Sequence, residues 1–374
     1  MTDRAFVPPP HGHSWPFASA GEAGFDAGRL GAAVEFAGAH ETKWQRDIQT
    51  QLENGSFEAP PDNAIIGPTA PRGGCAGIIL RGGRKVAEWG DVRRVDMTFS
   101  VAKSYLSILA GLAVEDGLIG DLDEAVGASV RDGGFDGAHN GAITWRHLLQ
   151  QTSEWEGTLF GKPDVIDRYR SLATEFAGTP GHRKGDARPL QAPGTYWEYN
   201  DVRVNRLSLA LLRRFGRALP EVFAERVMRP IGASETWRWE GYSNSGVEVA
   251  GRMVTSVSGG GHWGGGVFIS AEDQARVGLL MLRHGVWGER RLVSRDWLRE
   301  SIVPCAIKPE YGLLWWLNTD RKPRPSASAQ SVFALGAGGN VTWMDPANDL
   351  VVVLRWFDTG VLDEFFGLVM AAQV

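Results

Sequence analysis

β-prone runs stand at both ends of this chain and a long helix-and-loop stretch separates them, which leaves few ways to fold it. Near the start, Cys75–Arg81 and Lys85–Glu88 flank Arg81-Gly82-Gly83-Arg84, a hairpin signal. Beyond residue 251 the runs Val267–Ser270, Tyr311–Asn318, Asn340–Met344 and Leu350–Phe357 read as strands, the last two joined by Asp345-Pro346-Ala347-Asn348-Asp349. Between about 120 and 250 the signals are helical or loop-like, as in Thr144–Gln151, Val204–Phe215 and Pro220–Met228. The pattern predicts an α/β (α+β) chain: an antiparallel sheet built from both chain ends, flanked by helices, with a mainly helical inserted region. Residues 1–119 and 251–374 would form the sheet domain and residues 120–250 the helical region, with an active site at their interface. Helical periodicity over 28–40 and a terminal helix over Asp363–Ala372 supply flanking helices. Ser270-Ala271-Glu272-Asp273 resembles a capping box opening a further helix to His284. No internal repeat is visible, and residues 321–330 read as a surface loop.

Composition narrows the partners. A net charge of −5 over 374 residues, with no long Lys/Arg run, argues against a nucleic-acid surface. Fifteen Trp imply a large core with rings left over to line a pocket. Cys75 and Cys305 match no zinc or redox spacing and are expected to be buried thiols, not a disulfide. The N-terminal segment, with Asp3 and three consecutive prolines, is no secretory signal, and no run approaches eighteen apolar residues. The expectation is a cytoplasmic protein with no membrane partner. His11 and His13 fall in what reads as a loose N-terminus and no H-E-x-x-H occurs, so neither metal nor cofactor is expected.

The chemistry-bearing residues are few. Ser100-Val101-Ala102-Lys103 places a hydroxyl and an amine one turn apart at the start of the helix expected over Phe99–Glu115. A serine needs a neighbouring base, and a lysine serves only if burial or nearby positive charge holds it neutral. In a first turn, free N–H groups and the helix dipole favour developing negative charge. Alone, S-x-x-K arises about once by chance in a chain of this size, and a surface helix would show it equally. Tyr199-Asn200-Asp201 offers a phenol for proton transfer, although core tyrosines look the same. Ala334-Leu335-Gly336-Ala337-Gly338-Gly339 leads into a strand, either as a plain glycine turn or as an edge whose N–H polarises a carbonyl. Gly259-Gly260-Gly261-His262-Trp263-Gly264 satisfies G-x-G-x-x-G but lacks the following helix, so it reads as tight packing beside a cleft, with His262 and Trp263 as pocket walls. His262 or His147 would have to serve a Ser-His-Asp set, but no G-x-S-x-G elbow exists.

Taken in order along the chain, these segments resemble the serine β-lactamase and penicillin-binding-protein superfamily. The likeness is strongest to its class C-like branch, with family VIII carboxylesterases and 6-aminohexanoate-dimer hydrolases. Thr98–Ser104 resembles the nucleophile motif, Asp116–Asp123 its continuation, and Ile143–Ser153 the stretch that follows. Pro193-Gly194 through Tyr199 resembles the block carrying the family's tyrosine, and Tyr311–Trp316 with Asp345-Pro346 match late landmarks.

The resemblance implies that Ser100 is acylated, that Lys103 is its base or proton relay, and that Tyr199 completes the proton network. Backbone N–H groups of Ser100 and Ala337 would form the oxyanion hole. Two departures shape the expected substrate. The family's Y-x-N ends in Asp201 here, and Ala334-Leu335-Gly336 stands where relatives carry K-T-G or H-x-G. No cation there awaits a substrate carboxylate. The expectation is therefore a serine hydrolase for small, uncharged, partly apolar esters, with an amidase of the 6-aminohexanoate-dimer type as the alternative. β-Lactamase or D-Ala-peptidase activity and a non-catalytic binder fit less well. Asp201, Trp155, Trp197, His262, Trp263 and Gly336 are the candidate pocket residues.

Overall fold

The computed structural model describes residues 7–172 and 179–374; Asp3 lies outside them. Helix α1 (Ala27–Ala39) starts at Asp26, whose carboxylate caps Arg29 N. Strands β1 (Ala76–Arg81) and β2 (Arg84–Trp89) form the expected hairpin, and the two-residue β3 (Asp96–Met97) leads to helix α2 (Val101–Glu115). Helix α3 (Asp201–Phe215) precedes strands β4 (Arg238–Val249), β5 (Arg252–Val257) and β6 (Gly266–Ile269). Helix α4 (Ala271–Leu282), strands β7 (Trp316–Leu317), β8 (Val332–Gly336), β9 (Asn340–Asp345) and β10 (Leu350–Arg355), and helix α5 (Leu362–Ala371) complete the chain.

The main sheet is antiparallel with strand order β7-β8-β9-β10-β1-β2, so β10 pairs directly with β1 from the opposite end of the sequence. Strand alternation then places helices on both faces. Trp343 and its register partner Phe333 meet Phe366 of α5, while Thr342 and Met344 lie against Gly278 of α4. A second sheet, β3-β6-β4-β5, adjoins it.

Several expectations need correction. Residues 238–249, assigned to the helical region, form β4. Gly241 and the Ser-Asn-Ser-Gly run that follows it interrupt its alternation, and the register shifts between Gly241 and Gly246. The β4–β5 hairpin runs across residue 250, so the boundary expected there falls inside one structural unit. Only Trp316–Leu317 of the expected strand over Tyr311–Asn318 belongs to the sheet, because Leu314 takes a left-handed conformation (φ 63°) and the chain turns. The segment carrying His11 is anchored, not loose: His11 N donates to Gly232 O and Arg276 to Pro9 O. Both cysteines are free thiols, Cys305 buried and Cys75 half-buried. Among the described residues, no helix is long and apolar enough to cross a membrane.

Candidate active site

Helix α2 is the axis of the site. It is buried on every face from Val101 to Ala113, so Lys103 is carried into the interior with it. Phe99, just before the helix, has φ 52°, a strained value for an aromatic residue. Its ring is held by Trp44 and Trp356 at 5.3 and 6.2 Å between centroids. This turn delivers Ser100 to the N-cap position, but its hydroxyl makes no capping bond. Instead Ser100 Oγ accepts a hydrogen bond from Lys103 Nζ at 2.8 Å.

Ser100 opens into a cavity of about 610 Å³. Tyr199, Arg170, Lys184, Gly336 and Ala337 line it, with Trp44, Phe57 and Trp316 among its apolar walls. The end of β8 is pressed against the segment before Ser100: a Cβ on Gly336 would stand 1.9 Å from Thr98 O. Only glycine allows that approach, which brings Ala337 to the same cavity as Ser100. Tyr199 is 4% exposed, and the Lys103 ammonium lies 4.7 Å from its ring centroid.

Asp201 does not line the cavity. It opens α3, where Asn200 caps Arg203 N and the Asp201 N–H donates to Asp167 Oδ2 at 2.7 Å. Its carboxylate lies 2.6 Å from Lys103 Nζ, with both side chains at most 3% exposed. Arg170 approaches the same oxygen at 3.2 Å, and His262 Nδ1 lies 3.2 Å from the other. Burial works to raise the Asp201 pKa, but Lys103, Arg170 and His262 outweigh it and hold the carboxyl well below its usual range. Lys103 is therefore buried, as a base beside Ser100 requires, and a carboxylate and a second cation face it.

Behind this pair the charges continue. His262 Nε2 lies 2.7 Å from Glu58, and Lys184 pairs with Glu58 and, at 2.9 Å, with Asp167. Glu58, Asp167 and His262 present three ligand atoms within 4.8 Å of one another, and the Lys184 ammonium pairs with both carboxylates. Three cations, Lys103, Arg170 and Lys184, thus face three carboxylates, Asp201, Asp167 and Glu58.

The other pocket expectations fare differently. Trp155 points away, its indole donating to Gly134 O beside a separate depression with Asp132 and Arg206. Trp263 is fully buried, stacked on His262, and Trp197 lies behind the cavity against Tyr199 and Trp316. His147 is occupied in a capping box with Thr144. Sequence reasoning missed Glu58, Asp167, Arg170 and Lys184, which lie in connections without periodicity or motif. It also expected no cation opposite Ser100. Arg170 and Lys184 supply two, from a different part of the chain and already paired.

A Ser-x-x-Lys helix packed against the end of β8 is the arrangement that the sequence resemblance to the β-lactamase superfamily implies. Residues 69–357 match the Beta-lactamase family, and the chain belongs to it. The 6-aminohexanoate-dimer hydrolase of Paenarthrobacter ureafaciens is 24% identical over 306 residues, covering 74% of this chain and 70% of that protein. Two solved structures share the fold. A penicillin-binding-protein homologue from Caulobacter crescentus has a TM-score of 0.58 at 14% identity, over 92% of this chain and 97% of that one. A family VIII carboxylesterase has a TM-score of 0.55 at 17% identity, over 80% and 91%.

Proposed function

We propose that this protein hydrolyses small carboxylic esters through an acyl-enzyme on Ser100. The observation that carries the reading is the 2.8 Å contact between Ser100 Oγ and Lys103 Nζ at a cavity walled in part by Trp44, Phe57 and Trp316. Ser100 Oγ bonds to the ester carbon as its proton passes to the Lys103 amine, and the N–H groups of Ser100 and Ala337 receive the oxyanion. The C–O bond to the alcohol then breaks, and the leaving oxygen takes a proton by way of Tyr199. Water repeats the sequence on the acyl-enzyme, releasing the acid and returning the proton to Ser100 Oγ.

The apolar walls and the lack of a cation in Ala334-Leu335-Gly336 favour an uncharged ester. The pairing of Arg170 and Lys184 with buried carboxylates keeps the reading consistent. The named activity of the Paenarthrobacter relative supports amide hydrolysis as a second reading. Intact-protein mass spectrometry after fluorophosphonate treatment should show one adduct, lost in Ser100→Ala. An adduct elsewhere, or none, overturns the nucleophile. Short p-nitrophenyl esters should be turned over faster than a linear amide or a cephalosporin, and the reverse order replaces the ester reading with the amide one. An amide's leaving nitrogen needs a proton, so Tyr199→Phe should cost an amidase more than an esterase acting on an activated phenol.

A further inference from the structure

The element that sets this site apart is a carboxylate behind the base. We propose that Asp201 is the positioning third member of a Ser100–Lys103–Asp201 set, orienting the lysine and stabilising the ammonium it becomes when it takes the serine proton. The inference rests on the reading of Ser100 as nucleophile. A base within reach of the nucleophile, itself oriented by a third group, is the general logic of activated serines. The distances follow that chain: 2.8 Å from Ser100 Oγ to Lys103 Nζ, then 2.6 Å from Nζ to Asp201 Oδ1.

Asp201 is itself fixed from several directions. Its N–H is bonded to Asp167, Arg170 approaches Oδ1, and His262, backed by Glu58, approaches Oδ2. Gly260 closes the remaining side: a Cβ there would stand 2.4 Å from Asp201 Oδ2 and 3.1 Å from Lys103 Nζ. Gly260 therefore has a structural purpose, since its backbone packs directly against the buried ion pair. With both side chains buried, the pair is little screened.

An opposite charge beside an amine favours its protonated form, so the pH dependence of nucleophile activation reads the part Asp201 plays. The charged or titratable groups facing the pair are Tyr199, Arg170, Asp167 and His262, with Glu58 and Lys184 behind them. Fluorophosphonate reads the set without a known substrate. The Ser100 Oγ–P bond forms, the P–F bond breaks, fluoride leaves, and the serine proton goes to Lys103 and then to solvent. The labelling rate should rise with pH.

In Asp201→Asn the midpoint of that rise should move down by about one unit or more, with the limiting rate about tenfold lower or worse. In Arg170→Gln, which keeps the carboxylate and removes a competing cation, the midpoint should move up. An Asp201→Asn profile with unchanged midpoint, whatever its rate, overturns the proposal. If that variant does not fold, Arg170→Gln decides: an upward shift supports the proposal, and no shift or a downward one overturns it. Absence of any label on the unmodified protein instead defeats the assignment of Ser100.

Discussion

At Gly336 a single hydrogen atom decides whether two elements can meet. A methyl there would overlap Thr98 O at 1.9 Å, so Gly336→Ala must push β8 away from the residues leading into α2. The expected cost is about 1–3 kcal/mol of stability, seen as a lower midpoint in thermal or urea unfolding. Ester turnover should fall further than stability explains, since Ala337 moves with the strand while Ser100 stays with the helix. Phe99 shows the same economy: its strained backbone is maintained by aromatic packing, not by its own preference.

At the scale of elements, the start of α3 holds the acid side of the site. Asn200 accepts from Arg203 N and donates to Asp164 O at 2.8 Å, so Asn200→Ala removes a cap and leaves a buried carbonyl without that donor. A loss of about 1–2 kcal/mol is expected in denaturant unfolding. Arg203 in the same turn joins Arg188 on Glu154, at 2.7 and 2.5 Å. Burial acts to raise the Glu154 pKa, but Arg188 and Arg203 prevail and hold it down at about 2. A folded-state value below the unfolded one contributes stability at neutral pH that is lost as pH falls. Thermal midpoints should therefore drop between about pH 4.5 and 2, and Glu154→Gln, less stable at pH 7, should show a shallower fall over that window.

For the whole molecule, Arg355 joins the two sheets. From β10 it donates to Asn340 Oδ1 at 2.8 Å within the main sheet, and to Met97 O and Ile269 O, at 2.9 and 2.7 Å, on β3 and β6 of the second. Arg355→Met keeps much of the stem but leaves those buried oxygens without this donor. About 3–5 kcal/mol should be lost, measured as a fall in the unfolding midpoint. Because Met97 lies three residues before Ser100, the variant should also turn over esters more slowly at temperatures where it remains folded.

Much of this was legible along the chain. The hairpin at Arg81–Arg84, the strands expected over Asn340–Met344 and Leu350–Phe357, and the pairing of chain ends follow from periodicity and turn residues, which act between near neighbours. Ser100 and Lys103 are legible for the same reason, because a helix brings residues three apart together whatever surrounds it. β4 was hidden because glycines and a bulge erase its alternation. The sequence by itself determined the two ends of the sheet, the family likeness and the serine–lysine pair. Tertiary structure alone decided what faces that lysine. Asp201, Arg170, His262, Lys184 and Glu58 come from segments far apart in sequence, and charges of this kind carry no periodicity to betray their meeting. Their energies depend on burial and on distances of about 3 Å, and only the folded chain fixes those.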